Sequence, residues 1–401
     1  MYEPTIGTTH AEAAISTSEV PDSPAPQPNP ESYDPDLSET PPSHNPDLLL
    51  LPGTPRQAEI DAVNTFIDTD CAHTGRLGRP IGTARQSSIL PVTGVDARVL
   101  RDSVRTARNE KGARLPDLRL AHRFQRATVY HLMMDRWGHS GPSFEFFRQA
   151  PAGMPAQPYW IRPPVARRPV IALLDSGVRE HPWLPVLSPP RGADQSSPFV
   201  IEQWEPTPPI ESPNLSDPHL TMASGHATFI AGLIRMEAPD AQVLSMRVMG
   251  ADGAVEEINV EEALMKLKEY VLVQRRPIDV VCMAFGRLVQ PGDDNQQLEE
   301  IKKLLGELAA AGVRLAASAG NDNSNVKVYP AAFGHEVGVE SVGALDPDGT
   351  KAIYSNHGDW VHHWRVGTRV TSVMPEDGFA KWSGTSFAVG KYAAELAKTA
   401  V

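Results

Sequence analysis

From Pro169 onward the sequence predicts an α/β fold in which a mostly parallel sheet is flanked by helices, and three observations carry that prediction. Short apolar, β-branched runs recur, each ending in Gly or a polar turn, as strands buried on both faces do: VIALLDSG, AQVLSMRV, DVVCMAFG, VRLAASAGN and VESVGAL. Helical stretches alternate with them, at residues 226 to 236, at residues 256 to 275 and in LEEIKKLLGELAAAG. In the last, Leu298, Ile301, Leu304, Leu305 and Leu308 fall on one face, and Gly312 stands where a C′ residue closes a helix. The third observation is a change of composition at Pro169, which marks residues 169–401 as one domain. Functional side chains of such folds lie beyond the carboxyl ends of the strands.

From the N-terminus, residues 1–55 read as a disordered, acidic, Pro-rich tail. They hold 12 prolines, nine carboxylates and no Lys or Arg, so −9 of the net −12 lies there and −3 is left for residues 56–401. Too few large apolar side chains are present to offset the entropy of ordering, and like charges extend the chain. Residues 56–150 read as an Arg-rich, mostly helical region. Between residues 76 and 126 stand 11 Arg and one Lys against Asp96, Asp102, Glu110 and Asp117, a local net of +8. Apolar residues interleave with them at helix-like spacing in GVDARVLRDSVRTARNEKGARL and LRLAHRFQRATVYHLMMDRW. These arginines read first as solvated helix faces and second as a contact for a regulatory protein partner. Nucleic acid is disfavoured, because GRLGRP is too short to define a minor-groove hook. Residues 151–168 read as a Pro-rich linker.

Composition excludes several classes. With 41% hydrophobic and 21% charged residues in 401, the chain can build one large domain and a smaller element. No apolar run approaches the length of about 18 residues that a membrane span needs. The start, MYEPTIGTTHAEAAISTSEV, has neither a basic n-region nor an apolar h-region, so the expected address is the cytoplasm, with no membrane contact. Cys71 and Cys282, 211 positions apart, read as free thiols. CxxC, HExxH and Walker patterns are absent, so no cofactor is expected and no metal ligand is assigned.

Four residues at predicted strand ends and helix starts stand out. Asp175 follows VIALL in DSG, which alone is ordinary turn chemistry; an aspartic protease would need a second D-[ST]-G, and the chain has none. His226, in SGHATFIAGLI, opens an apolar helix, where a histidine is more often a cap or a packed side chain. Asn321, in ASAGNDN, reads alone as a turn residue. Ser386, in KWSGTSFAVG, opens an Ala-rich helix, where serine is usually a cap.

Taken together, Asp175, His226, Asn321 and Ser386 and their neighbourhoods resemble the subtilisin-like serine peptidases, the subtilases, in which the triad follows in the chain order Asp, His, Ser. The resemblance covers about residues 168 to 400 and includes VYPAAFGHEVGVESVGALDPDGTKAIYSNHGDWV, with Tyr329, Pro330, Ala331, Gly343, Ser355, Asn356 and Gly358. It implies a three-layer subtilisin-like fold and a serine-type endopeptidase acting on a restricted protein or peptide substrate. Ser386 would be the nucleophile, His226 its base, Asp175 the group that orients His226, and Asn321 a donor to the oxyanion. Ala284, Phe285 and Gly286 would pair with substrate backbone, and Ala319 and Gly320 would help to wall the pocket for the residue before the scissile bond. Members often bind structural Ca²⁺, but no carboxylate cluster here names such a site.

Several departures from the family pattern are visible. Ala227 and Gly390 stand where the family usually has Gly and Pro, Arg287 where it often has a second Gly, and the chain ends soon after the Ser386 helix. The first two are expected to narrow the site and loosen its helix, and the missing packing to be replaced by residues 56–150 or by a partner. They motivate the alternative of an inactive or conditionally active subtilase scaffold that works as a protein-interaction module. The Pro-rich insertion SPPRGADQSSPFVIEQWEPTPPIESPNLSDPHLT, between Asp175 and His226, is expected near the cleft as a lid or as a surface excursion. No stretch of residues 1 to 165 resembles the compact inhibitory propeptide of the family.

Overall fold

In the computed structural model, residues 44–52, 54–69, 74–80, 82–84, 87–126, 144–151, 154, 167–185, 198–207, 209–210, 222–250, 253–289, 293 and 295–400 are described. The first of them build a small mixed module: β1 (His44–Pro52), α1 (Gln57–Thr69), β2 (Arg76–Leu77), β3 (Gly82–Ala84), β4 (Ser87–Thr93), α2 (Ala97–Lys111) and β5 (Arg119–Arg126). β1 lies between β4 and β5 and is antiparallel to both. Strand alternation gives its leucine run two faces. Leu49 and Leu51 join Ile60, Val63, Phe66 and Ile67 of α1 and Leu100 and Val104 of α2, whereas Leu50 turns the other way. Asp96 caps α2 by accepting from the Arg98 N–H at 2.8 Å, and Gly112, at φ +64°, closes it.

The mostly helical region expected over residues 56–150 is thus an α/β module. LRLAHRFQR, expected as helix, is strand β5. Over so short a window Leu118 and Leu120 fit a period of two as well as a helical one, and the ladder offered by β1 decides between them. Residues 44–52 of the expected tail form β1; the rest of the tail, residues 127–143 and most of the linker lie outside the described residues. β6 (Phe144–Phe147) follows.

The second region is a seven-stranded sheet in the order β16-β15-β13-β11-β7-β9-β8, parallel throughout. In chain order its surroundings are β7 (Val170–Asp175), β8 (Val200–Trp204), α3 (Met222–Glu237), β9 (Gln242–Arg247), β10 (Ala254–Glu256), α4 (Glu257–Lys268, prolonged by a π turn), β11 (Val280–Met283), β12 (Phe285–Leu288), α5 (Gln296–Ala310), β13 (Arg314–Ser318), β14 (Val328–Tyr329), β15 (Val339–Leu345), β16 (His363–Val366), β17 (Val370–Met374), β18 (Gly378–Trp382) and α6 (Thr385–Lys398). Alternation along β7 again sorts the layers. Ile171 and Leu173 face α3 and α6, in a cluster with Phe229, Ile230 and Phe387; Ala172 and Leu174 face α4 and α5, in a cluster with Leu264, Leu298, Ile301 and Leu305. The five α5 residues expected on one face are all buried, and Gly312 has φ +90°.

Two smaller pairings matter for the site. β6 adds antiparallel to β18, which pairs with β17. DVVCMAFG, expected as one strand, divides after Met283: β11 stays in the parallel sheet, and β12 turns out of it to pair with β14 and β5. Within the insertion, Val200–Trp204 is not lid but edge strand β8, because VIEQW has a buried side to lay against β9; residues 186–197 and 211–221 lie outside the described residues. Among the described residues no helix is long and apolar enough to cross a membrane.

Candidate active site

β7 carries Asp175 to the carboxyl end of the sheet, where its backbone carbonyl accepts from the N–H groups of Val248 and Met249 at 2.8 and 3.2 Å. Its carboxylate accepts from the Ser176 N–H at 2.7 Å. Across 51 residues of sequence, α3 brings His226 beside it: Nδ1 lies 2.8 and 2.9 Å from the two carboxylate oxygens, and both side chains are 0% exposed. A carboxylate only accepts, so Nδ1 carries the proton and Nε2 is left as the basic nitrogen. Trp382 meets the imidazole edge-on at 5.6 Å between centroids, and Phe387 lies 5.7 Å away, so the ring is held by packing as well as by hydrogen bonds.

Asn321, just after β13, is tied to the start of α6. Its Oδ1 accepts from the N–H and from Oγ1 of Thr385, each at 3.0 Å. These two bonds fix which way the amide faces and turn Nδ2 outward as a donor. Ser386 is the second residue of α6, after the extended Gly384, and Oγ donates to the Ala284 carbonyl at 3.2 Å. His226 Nε2 and Asn321 Nδ2 are both buried, and neither has a hydrogen-bond partner among the described residues. Buried polar groups are ordinarily satisfied, and these two stand at the start of α6, the imidazole against Phe387 and the amide on Thr385, where they can receive another molecule's atoms.

The groove beside them is already paired. β5 runs antiparallel between β10 and β12: Gln125 opposes both Ala254 and Gly286, Arg126 opposes Phe285, and Phe124 and Arg123 oppose Val255 and Glu256. The N-terminal module thus lays one of its own strands along the edge that the resemblance assigns to substrate. Phe285 offers that edge its backbone only, for its ring is buried in the core with Ala319. Gly286 must lack a side chain, since a Cβ there would come within 2.4 Å of Val328 Cγ1. Gly320, at φ +101°, is likewise obligatory, with Asn356 Nδ2 2.4 Å from where its Cβ would stand. Asn356 Nδ2 donates to the Ala319 carbonyl at 2.9 Å.

The structure therefore brings together Asp175, His226, Asn321, Ser386, Ala284, Phe285, Gly286, Ala319 and Gly320. Sequence reasoning missed Thr385, Ser176 Oγ, which accepts from the Ala227 N–H at 3.1 Å, and the second edge β10. The alternation in AVE was a usable signal for β10, but it is three residues long. Two departures change meaning. The Ala227 methyl is absorbed in the apolar cluster of α3 and does not narrow the site. Gly390 lets α6 approach α3, because a Cβ there would stand 2.8 Å from Ile230 Cγ2. Of the packing expected from residues 56–150 around α6, β6 supplies a part, pairing with β18 and laying Phe147 against the cluster that holds Trp382 and Phe387, whereas β5 and its neighbours fall on α4, β10 and β12. Cys282 is a free, buried thiol whose pKa is pushed up by burial and by Asp175; Cys71 lies outside the described residues. Among the described residues no three or more His, Cys, Asp or Glu side chains are grouped to hold a metal ion.

A family profile described as "Subtilase family" matches residues 166–400. Alkaline elastase YaB of Bacillus sp. (strain YaB) is 24% identical over 227 residues, 54% of this chain and 50% of that protein. Subtilisin BL of Lederbergia lenta is 24% identical over 227 residues, 54% of this chain and 71% of that protein. A solved structure described as a lanthipeptide protease is 21% identical, with a TM-score of 0.45, over 57% of this chain and 72% of that one. The chain thus spans about half the length of alkaline elastase YaB.

Proposed function

This chain belongs to the subtilase family, and we propose that it is a serine-type endopeptidase in which Ser386, His226 and Asp175 form the catalytic triad and Asn321 contributes to the oxyanion hole. The observation that carries this reading is a pair of buried atoms, His226 Nε2 and Asn321 Nδ2, without a hydrogen-bond partner among the described residues and held at the start of the helix that carries Ser386. Ser386 Oγ adds to the carbonyl carbon of the scissile bond while its proton passes to His226 Nε2. Asp175 holds the imidazole in the Nδ1–H tautomer and stabilises the imidazolium without taking its proton. As the carbonyl oxygen becomes an oxyanion, Asn321 Nδ2 and the Ser386 backbone N–H, at the positive end of α6, donate to it. His226 then returns the proton to the leaving amine, which departs and leaves an acyl-enzyme that water hydrolyses by the same steps in reverse.

Substrate is a protein or peptide segment that adds as an extended strand between β10 and β12. β5 occupies that place, so turnover requires β5 to leave it, and the restricted substrate range follows from this self-restraint. The module does the work expected of a regulatory partner in place of a second protein. The test is labelling with a fluorophosphonate probe, with the adduct mapped by mass spectrometry in the unsubstituted chain, Ser386→Ala and His226→Ala. A label on Ser386 that His226→Ala removes supports the assignment. Labelling elsewhere, or labelling indifferent to His226, refutes it.

A further inference from the structure

Arg287 stands where the resemblance leads one to expect glycine, and its side chain takes no part in the chemistry above. It is 2% exposed, yet every nitrogen of its guanidinium is engaged. Nε donates to Glu257, Nη1 to Asp293 Oδ2 and to the Leu288 carbonyl, both at 3.2 Å, and Nη2 to Asn295 Oδ1 at 3.1 Å. The other oxygen of Asp293 accepts from Arg98 Nη2 at 3.2 Å, and Arg98 lies in the first turn of α2 in the N-terminal module. Four ionisable side chains, Arg98, Asp293, Arg287 and Glu257, thus run in line from the module to the first turn of α4, and Arg287 itself sits on β12, against which β5 is paired.

We propose that Arg98, Asp293 and Arg287 form the latch that holds β5 in the groove, and that the buried Glu257 carboxyl at the end of their line makes the latch proton-sensitive, closed in acid, where that carboxyl is neutral, and released in alkali. The proposal rests on the reading of the groove as the substrate site and concerns how access to it is set.

The placement of Glu257 supplies the argument. On one side the Glu256 backbone stands opposite Arg123 on the ladder between β10 and β5; on the other Ile258 packs against Leu50 and Ala121 of the module. Departure of the module uncovers the turn between them. Arg287 favours the charged form of Glu257, and Asp293 and Glu256 oppose it; Arg98 acts one carboxylate away, and Glu261, further along α4, faces Glu300 of α5. Burial outweighs these influences and pushes the Glu257 carboxyl up to about 7. A hydrated glutamate titrates near about 4.3. The docked state therefore holds this proton more tightly than the undocked state does. Docking keeps its full strength below the lower value and weakens as the pH rises through about 7.

The test uses the full-length Ser386→Ala chain, so that no cleavage intervenes and failure of the catalytic assignment leaves the result intact. Hydrogen exchange at the β5 amides, corrected for intrinsic rates, is compared at about pH 6 and about pH 8.5. The β5 amides should open roughly ten-fold more readily at the higher pH, with β11 and β13 unchanged, and adding Glu257→Gln should abolish that difference. No pH difference in the parent, or the same difference in Glu257→Gln, overturns the proposal. Should Glu257→Gln fail to fold, Arg98→Ala removes the module's half of the latch at a partly exposed position. It should raise β5 exchange about five-fold at both pH values, and unchanged exchange would also overturn the proposal.

Discussion

The parallel sheet and the N-terminal module meet at one groove, but they are built to different ends. In the sheet, β7, β11 and β13 are buried on both faces, and the polar groups at their ends are fixed by bonds within the same region: Asp175 by Ser176 and the backbone beyond it, Asn321 by Thr385. The module has a core of its own on one face of β1, and it meets the other region through the backbone of β5, the small patch of Leu50, Ala121 and Ile258, and one line of charges. A group that must act within tenths of an ångström is held by a packed frame. A strand that must leave is held by contacts that water can replace.

The largest expected effect tests the frame. Ser386→Ala should lower kcat on a peptide substrate by a factor on the order of 10⁶, the scale known for subtilisin itself, while β5 exchange stays as it was. Residual activity above about one part in a thousand would mean that the groove, not Ser386, carries the reaction. Asn321→Ala comes next. It should cost roughly 2.7 to 4 kcal/mol in kcat, again a magnitude taken from subtilisin, with KM nearly unchanged, because the oxyanion exists only in the transition state. A loss confined to KM would make Asn321 a binding residue.

The module is tested in the opposite direction, by a gain. Gln125 pairs on both sides, with Ala254 and with Gly286, so Gln125→Pro removes its N–H from a central strand at a cost of about 3 kcal/mol. Activity before any processing should rise by up to about a hundred-fold, and the melting of the parallel-sheet region should not move. If activity falls instead, β5 belongs to the working site and the contrast between the two regions is wrong.

The same contrast explains what the sequence made legible. The runs VIALL and VVCM are continuous and apolar because both faces of each strand are buried, and the residues at the strand ends follow in a recognisable chain order. Asp175, His226, Asn321 and Ser386 were each ambiguous alone, and only their chain order, with its resemblance to the subtilases, let them be read as a set. β5 was not legible: in RLAHRFQR the arginines stand at 119, 123 and 126, the spacing of an amphipathic helix face. Its partners β10 and β12 lie more than 120 residues away, and a strand that pairs with segments so distant carries no local mark of doing so. Arg287 was noticed as a departure, but its meaning depended on Asp293 and on Arg98, which is 195 positions from that aspartate.

Gly390→Ala gives the smallest effect and is informative because two principles oppose each other. As a mid-helix substitution it should stabilise α6 by about 1 kcal/mol, since alanine loses less backbone entropy than glycine. The added Cβ, however, would stand 2.8 Å from Ile230 Cγ2 and 3.7 Å from its Cβ, and overpacking of this kind costs typically about 1 to 3 kcal/mol. The net expectation is a loss of up to about 2 kcal/mol, read as a fall of several degrees in the melting of the parallel-sheet region, with β5 exchange unaffected. Pairing it with Ile230→Ala identifies the cause. If close approach of α6 to α3 is the reason for glycine, the loss should disappear in the Ile230→Ala background, giving a coupling of about 1 kcal/mol or more. If Gly390→Ala stabilises in both backgrounds, the helix that presents Ser386 has slack against α3, and the rigidity attributed to the frame does not extend to its last helix.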